Sequence, residues 1–362
     1  MHRVSSLKAA ALAAIFIMMS VLILAKMSER SPLMLFSKWK MDLTLPNYYK
    51  PRALWANGQV QLVLCRFQTL EQQLQTDLNR NRASFQAVVL LKRVSATGEA
   101  HWHKVYEQRG DFHALSAANS GNLFALGSTY ETDGSETGFL LHSADGGQSW
   151  TPLPPPPAAA RGLAFYTSTN GYAWTASGVF QTHDQGQTWS DLKISSGILD
   201  EGAAPAVDEN GTLVSGTADK LRVRAVDGRL TEVALPPRFR LTHLAAAGER
   251  RIWLLGSALP DEPSREEVLL LCWRPGQLLE QVAKFPALTP ERLFVSGSSL
   301  VVAAAEAALV PPKTHFLISS DLGRRWRDEV PPIAVGMDAL FLARDGTVWT
   351  AGPAGRLQKR VP

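Results

Sequence analysis

The stretch SADGGQSW at residues 143–150 recurs in altered form as THDQGQTW at 182–189 and as SSDLGRRW at 319–326. Each copy has a hydroxyl residue, Asp two positions later, Gly two positions after that and Trp three further on. This spacing is typical of a tight turn, because the carboxylate can accept backbone N–H groups and the glycine can adopt a positive φ. The chain therefore repeats one kind of hairpin turn.

A second pattern, a turn followed by a short apolar strand, occurs seven times. Its copies begin at Gly58, Gly121, Gly171, Gly211, Arg250, Ser298 and Gly346. The intervals of 63, 50, 40, 39, 48 and 48 residues are near the roughly 40–50 residues of a four-stranded propeller blade. We predict an all-β fold, a seven-bladed β-propeller over residues 38–362, with the repeated turns in C–D hairpins.

The last repeat supplies only three strands, whereas residues 38–46 (KWKMDLTLP) form a strand-like segment ahead of the first repeat. We predict that this N-terminal strand completes the last blade and closes the ring. Cys65 and Cys272 then lie on different blades, farther apart than the Cα separation of about 7 Å that a disulfide allows. We predict two buried free thiols.

The N-terminal region is an uncharged apolar run, residues 9–25, that follows two basic residues and is closed by Lys26. Its length is at the lower limit for a membrane-spanning helix, and Ile23 is unlike the small residue that signal cleavage prefers. We predict a single hydrophobic signal-anchor helix in the inner membrane, with the propeller in a Gram-negative periplasm. The flanking segments are then a cytoplasmic N-terminus, 1–8, and a linker, 26–37. A cleaved signal peptide, with a soluble periplasmic or secreted product, is the alternative.

The repeated turn resembles the Asp-box, or BNR repeat, of sialidase-like and photosystem-assembly-factor-like propellers. RVSATGEAHW, ending at Trp102, resembles a degenerate fourth copy, and YAWTASG, VFQTHDQG and QTW in the third blade are similar to the photosystem-assembly-factor-like group. The resemblance implies a fold and not an activity. We expect a structural role for the motif residues: Ser143, Asp145, Gly147, Trp150, Thr182, Asp184, Gly186, Trp189, Ser319, Asp321, Gly323 and Trp326.

Catalytic motifs are missing from the sequence. Sialidases resemble one another in an early F/Y-R-I-P motif and a late Tyr paired with Glu, whereas KPRAL at Arg52 lacks the Ile-Pro and no tyrosine follows Tyr172. His101 and His103 could be a metal pair, but no third ligand is nearby and an exposed strand is the favoured interpretation. There is no GxSxG, phosphate-binding glycine loop or HExxH. We predict no catalytic residues, no metal and no cofactor.

Insertions between the second and third strands point to a binding face. By strand order, the B–C and D–A loops share one face of a propeller, which we call the B–C/D–A face, and the A–B and C–D loops share the A–B/C–D face. The insertion FQTLEQQLQTDLNRNRASF in blade 1 has leucines at i, i+4 and i+8, as in an amphipathic helix. Blades 2 and 5 insert acidic loops, and the D–A connections 154–160 and 235–239 are proline-rich, which limits the freedom lost on binding.

The predicted partner-binding residues lie in these three insertions. They are Glu71, Gln72, Leu74, Asp77, Arg80, Arg82, Glu131, Asp133, Glu136, Asp261, Glu262, Arg265, Glu266 and Glu267. We expect a protein partner with a basic surface, while packing of the leucines on the propeller itself and simple solvation of the acidic loops are the competing interpretations. Nucleic acid is not expected, because the formal charge of +4 is small and scattered.

The function that best fits these features is a non-catalytic periplasmic protein-binding propeller. It would act as an assembly or stability factor, or as an immunity protein that inhibits a secreted toxin such as a hydrolase effector. The alternative of a different class is a glycan-binding or sialidase-like glycosidase propeller.

Overall fold

The computed structural model describes most of the chain from residue 39 onward. The described ranges are 39–45, 49–56, 60–69, 85–94, 100–118, 121–157, 160–176, 178–197, 203–247, 250–258, 267–306, 313–331, 339–343, 345–352 and 356–360. The chain divides into two compact units, Met1–Lys40 and Met41–Pro362. The predicted signal-anchor helix, 9–25, lies outside the described ranges. The described residues include no helix long and apolar enough to cross a bilayer.

The second unit is an all-β propeller of seven four-stranded sheets. Blade 1 consists of β2 (Tyr49–Ala56), β3 (Val60–Phe67), β4 (Gln86–Val94) and β5 (Ala100–Arg109). Blade 2 consists of β6 (Asp111–Ala117), β7 (Leu123–Tyr130), β8 (Glu136–Ser143) and β9 (Thr151–Leu153). Blade 3 consists of β10 (Gly162–Phe165), β11 (Gly171–Trp174), β12 (Val179–Thr182) and β13 (Ser190–Asp191).

Blade 4 consists of β14 (Ala206–Val207), β15 (Leu213–Gly216), β16 (Lys220–Arg224) and β17 (Leu230–Ala234). Blade 5 consists of β18 (Phe239–Ala247), β19 (Arg251–Ala258), β20 (Glu267–Trp273) and β21 (Glu280–Pro286). Blade 6 consists of β22 (Thr289–Ser296), β23 (Ser299–Glu306), β24 (Lys313–Ser319) and β25 (Arg327–Glu329). The seventh sheet has the order β1–β28–β27–β26, with β1 (Trp39–Thr44), β26 (Ala339–Leu342), β27 (Val348–Gly352) and β28 (Arg356–Arg360). The predicted seven-bladed propeller is confirmed, and each of the seven repeats supplies the second strand of one blade.

The second strands are apolar on both sides, because both faces of each sheet pack against neighbouring blades. β3 and β7 have runs of five and six consecutive buried residues, respectively, as expected of strands enclosed on both faces. The outer strands β9 and β25 have only three residues each and are mostly exposed. In blades 2 and 6 these short outer strands limit the unpaired backbone that is offered to other chains.

Hydrophobic clusters join neighbouring blades. Leu62 and Leu64 of blade 1 pack with Leu123 and Leu141 of blade 2, and each such buried leucine contributes about 1.5–3 kcal/mol to stability. Cys65 and Cys272 lie on β3 and β20 as predicted, and both are buried and free. Burial raises the pKa of the Cys65 thiol, which makes it a poor nucleophile.

The first repeated turn is held by its own side chains. Ser143 Oγ donates to Asp145 Oδ1 at 2.8 Å and accepts the Gly147 N–H at 2.8 Å. The same Oδ1 accepts the N–H groups of Gln148 and Ser149, both at 2.9 Å. Each of the three turns lies between the third and fourth strands of its blade. Hydroxyl, carboxylate and glycine thus satisfy the backbone of a turn that has no sheet partner.

The other two copies repeat this hydrogen bonding. The hydroxyl donates to the aspartate at 2.8 Å in each, in the pairs Thr182–Asp184 and Ser319–Asp321. It also accepts the glycine N–H, at 2.9 Å from Gly186 and 2.8 Å from Gly323. The tryptophan indole donates to the glycine carbonyl oxygen in two turns, at 3.1 Å for Trp150 and 2.9 Å for Trp326.

The turn glycines contact the preceding blade. All three have a positive φ, between 84° and 91°. A Cβ added at Gly147 would lie 2.2 Å from Leu62 Cδ1, and one at Gly323 would lie 2.5 Å from Val282 Cγ1. Both neighbours belong to the blade before. The turns therefore stabilise their own hairpins and also fill the space between blades.

This packing predicts unequal effects for two matched glycine substitutions. Gly276 also has a positive φ, 77°, but a Cβ there would meet nothing within 4 Å. We expect Gly276→Ala to lower the free energy of unfolding by about 1 kcal/mol, from backbone strain alone. Gly323→Ala should lower it by about 2–4 kcal/mol, because overpacking against Val282 adds to the strain. Equal losses in chemical denaturation would contradict a docking role for the turn.

Candidate binding face

The first strands of neighbouring blades contact one another around the axis, in the pairs β2–β6, β6–β10, β18–β22 and β2–β26. Each first strand begins at the B–C/D–A face, where the second strand ends and the third begins. Side chains from three strands of each blade can therefore meet at this face. The blade 2 insertion, residues 131–135, is on the same face, whereas residues 70–84 and 259–266 of the blade 1 and blade 5 insertions lie outside the described ranges.

Most of the predicted partner-binding residues lie outside the described ranges: Glu71, Gln72, Leu74, Asp77, Arg80, Arg82, Asp261, Glu262, Arg265 and Glu266. The amphipathic helix predicted in the blade 1 insertion also lies outside them. Four predicted residues are described, namely Glu131, Asp133, Glu136 and Glu267. Their role in binding stays a prediction.

The acidic loop of blade 2 makes ion pairs with arginines of the same face. Arg161 donates to both Glu136 carboxylate oxygens, at 2.8 and 2.9 Å, and Arg109 lies 3.3 Å from Glu131. Asp133 instead accepts the N–H of Ser135 within the loop, at 2.8 Å. The loop and its surroundings therefore present both acidic and basic groups, and Arg161 and Arg109 hold two of the loop's glutamates in place.

Asp111, at the start of β6, is a buried charged residue of this face and is only 5% exposed. Arg52 of blade 1 donates to both carboxylate oxygens, from Nε at 2.9 Å and from Nη2 at 2.5 Å. Arg66 lies 3.5 Å away, and its guanidinium also stacks 4.3 Å from the centre of the Phe85 ring. A bidentate pair between a buried aspartate and an arginine whose side chain is 34% exposed links blades 1 and 2.

Four first strands have a β-bulge at their third or fourth residue. The residues left without a register partner are Arg52, His113, Thr242 and Glu291. A bulge increases the local twist and redirects the side chain. Each of these four side chains is polar, and each contacts a neighbouring strand at the B–C/D–A face. The bulges thus turn polar groups onto a surface that is otherwise built from apolar strands.

Two histidines near these bulges are kept neutral. His113 Nε2 lies 2.9 Å from Ser128 Oγ, and burial lowers its pKa. His243 Nε2 lies 3.3 Å from Nη1 of Arg292. Burial, followed by the Arg292 charge, lowers the pKa of His243 to about 4. A neutral imidazole can accept a hydrogen bond from Arg292, whereas a protonated one would be repelled.

The His113 group differs from a nucleophilic triad. Ser128 Oγ and the Glu136 carboxylate, at 3.6 Å, both approach the same ring nitrogen, Nε2. A triad needs the hydroxyl and the carboxylate on different nitrogens, so that one nitrogen takes the proton while the other is held. Ser128 is also only 1% exposed. This geometry positions the loop and provides no activated hydroxyl.

The possible metal pair lies on β5, where His101 and His103 are both exposed. In the described ranges no group of three or more His, Cys, Asp or Glu could hold a metal ion. The exposure of both histidines agrees with the interpretation of the HWH segment as an exposed strand.

The ion-paired core of this face was missed at the sequence level. The sequence signal was a charged residue inside an otherwise apolar first strand, as in KPRAL and DFHAL. Arg52, considered above for its partial match to a sialidase motif, is instead the partner of Asp111.

Comparison with known proteins identifies a fold and no family. No family model matches the chain, and no curated protein matches it. Solved structures do match, and three are similar over nearly the whole chain. All are below 15% sequence identity, so they show the fold alone.

The first is a structure described as YCF48 bound to D1 peptide, with 14% identity, a TM-score of 0.61, and coverage of 90% of this chain and 96% of that one. A chain of a mitotic checkpoint complex has 12% identity, a TM-score of 0.57 and coverage of 90% and 94%. Virginiamycin B lyase from Staphylococcus aureus has 11% identity, a TM-score of 0.54 and coverage of 89% and 98%. Of these three structures, the first contains a bound peptide, the second is a complex and the third is a lyase.

The Arg52–Asp111 pair predicts a larger stability effect for one arginine than for another. Arg52→Ala should lower the free energy of unfolding by about 1–3 kcal/mol, because buried Asp111 loses its bidentate partner and keeps only the more distant Arg66, while the partial exposure of Arg52 weakens the pair. The matched control is Arg229→Ala, whose partner Asp227 lies at 2.7 Å but in an exposed pair; it should cost about 0.5 kcal/mol. Similar losses in the two variants would contradict the role of the Arg52–Asp111 pair.

The half-buried His243 predicts acid sensitivity. Its folded pKa is below the value of about 6.5 in an unfolded chain, so the unfolded state binds more protons below that pH. Stability from this residue is therefore complete above about pH 6.5 and is lost as the pH falls toward 4, by about 2 kcal/mol at pH 4.5. His243→Gln should flatten this part of the curve of unfolding free energy against pH. An unchanged curve would show that His243 is not the responsible group.

Proposed function

We propose that the chain is a non-catalytic, protein-binding propeller whose B–C/D–A face takes the partner. The observation that carries the proposal is the set of polar side chains at this face, held by buried or bidentate ion pairs. Arg52–Asp111 and Arg161–Glu136 fix their charged groups before any partner arrives. Pre-ordered charges reduce the entropy lost on association and favour specific protein recognition.

The mixed charge pattern refines the expected partner. Glu131 and Glu136 are already paired with arginines, and Glu267 of blade 5 lies 2.7 Å from Lys284. A partner with both acidic and basic groups fits this surface better than a uniformly basic one, because each existing pair can extend into a network. Asp133, exposed and with no ion pair to another described residue, is the place for a basic group of the partner.

The solved propellers support this proposal by example. The YCF48 structure contains a D1 peptide, and the mitotic checkpoint structure is a protein complex. From the resemblance of the turns we propose that the chain is an Asp-box propeller, and that it acts as an assembly or stability factor. An immunity protein against a secreted toxin is a second form of the same proposal. A sialidase-like or glycan-binding propeller would be a different class.

The proposal includes the location and the ring closure. We propose that residues 9–25 anchor the chain in the inner membrane with the propeller in the periplasm. We also propose that β1 holds the ring shut as the outer strand of the seventh sheet, where the described strand order includes it beside β28. A closed ring leaves only the outer strands of the blades as edges for unwanted pairing.

A site-specific photo-cross-link tests the partner face. The full-length chain would have p-benzoylphenylalanine in place of Asp133 or, as a matched control, in place of Gln187. Both positions are exposed, but Gln187 lies in a C–D turn on the opposite face. Irradiation of native membranes should give one discrete protein adduct from position 133 and none from position 187.

The adduct also separates the versions of the proposal. A subunit of a membrane complex would indicate an assembly factor, and a secreted hydrolase would indicate immunity. Adducts from position 187 alone would contradict the choice of face. Glycan binding or glycosidase activity of the purified chain, with no protein adduct, would contradict the proposed class.

A further inference from the structure

A cleft of about 900 Å3 opens between blades 4 and 5 on the A–B/C–D face. It is therefore on the face opposite to the proposed partner site. Its walls include Asp208, Val226, Arg229, Thr231, Arg250 and Trp273. This volume is within the range of about 300–1,000 Å3 typical of ligand pockets.

The C–D hairpin of blade 5 contacts the blade before it less closely than the three repeated turns do. In the three repeated turns the glycine contacts the blade before, as Gly323 does at Val282. In blade 5 the hairpin glycine is Gly276, which has open space where a Cβ would be. Arg274 and Leu279 stand at the positions that Asp and Trp occupy in the other turns. Leu279 still packs on the hydrophobic cluster shared by blades 4 and 5, but the aspartate of the repeated turn and the contact made by its glycine are missing.

Exposed apolar side chains are concentrated at the two hairpins that flank the cleft. Val226 and Leu230 on the blade 4 hairpin are 56% and 52% exposed, and Leu278 on the blade 5 hairpin is 92% exposed. Within the described ranges, Val330 at 36% is the one other large apolar side chain in this class. A group of exposed apolar residues beside a cleft is typical of an interaction site.

The unpaired charge at the cleft is positive. Arg229 is paired with Asp227 at 2.7 Å, and Asp208, only 3% exposed, accepts the N–H groups of Asn210 and Thr212. Arg250 has a positive φ of 56°. No carboxylate of the described residues lies within ion-pair distance of its guanidinium. The carboxylates of the cleft are thus engaged, while one arginine is available.

We propose that this cleft binds an extended peptide segment of a partner protein, with an aliphatic or aromatic side chain beside Val226 and Leu230 and a carboxylate at Arg250. A peptide fits better than a sugar, because Trp273 is only 5% exposed and provides no aromatic face for a sugar ring. The site is separate from the B–C/D–A face and does not depend on the function proposed there.

The test uses a phage-displayed library of twelve-residue peptides, selected on the purified full-length chain. Selected sequences should combine Leu, Ile, Phe or Met with Asp or Glu. Synthetic peptides of those sequences, labelled with fluorescein, should bind the wild-type chain in fluorescence polarisation. Arg250→Glu and the double variant Val226→Ser/Leu230→Ser should each weaken binding at least tenfold.

The matched controls are Arg324→Glu and Val330→Ser, which change an exposed arginine and an exposed valine elsewhere. They should leave the affinity within twofold of wild type, and thermal melting should show that all four variants fold. No enriched peptide, or peptides that bind the cleft variants as tightly as wild type, would overturn the proposal. A dimer in sedimentation that Val226→Ser/Leu230→Ser dissociates would assign the cleft to a second copy and also overturn it.

Discussion

Burial of each sheet on both faces is the constraint on which the rest of the structure depends. A blade cannot cover its own apolar faces, so each needs a neighbour on either side. The stack of Phe124 on Phe165, with ring centres 3.5 Å apart, joins blades 2 and 3 in this way. The repeated turns satisfy the same need at the A–B/C–D face, where Gly147 and Gly323 fit against the blade before. The motif that identifies the fold is thus part of the packing between blades.

The same constraint decides where function can be. Strands enclosed on both faces have no freedom to vary, whereas loops at the two ends of the strands do. At the B–C/D–A face, bulges in four first strands bring Arg52, His113, Thr242 and Glu291 out of the sheet register. At the opposite face a cleft lies beside the blade 5 hairpin, whose glycine, Gly276, does not contact blade 4. The B–C/D–A face is shaped by the polar contacts of the bulged residues, whereas the cleft lies where Gly276 makes no contact with blade 4.

Repeats in the sequence were sufficient to predict the blades, because strand B of every blade has to be apolar and each begins after a turn. Placement of Cys65 and Cys272 on separate blades followed from the same pattern and is confirmed. The Arg52–Asp111 pair could not be predicted, since it joins residues 59 positions apart through the packing of two blades. The cleft could not be predicted either, because it depends on the position of Gly276 relative to blade 4. Ten of the predicted binding residues lie outside the described ranges, and their role stays a prediction.

Hydrogen exchange of the full-length chain with and without its cross-linked partner is the most direct test of the account. It measures both faces in one experiment, because backbone amides at an interface exchange more slowly. The account predicts slower exchange in peptides that cover 109–113 and 130–136 when the partner is bound. Unchanged exchange in both segments, with protection confined to 225–231 and 273–279, would contradict the B–C/D–A face as the partner site.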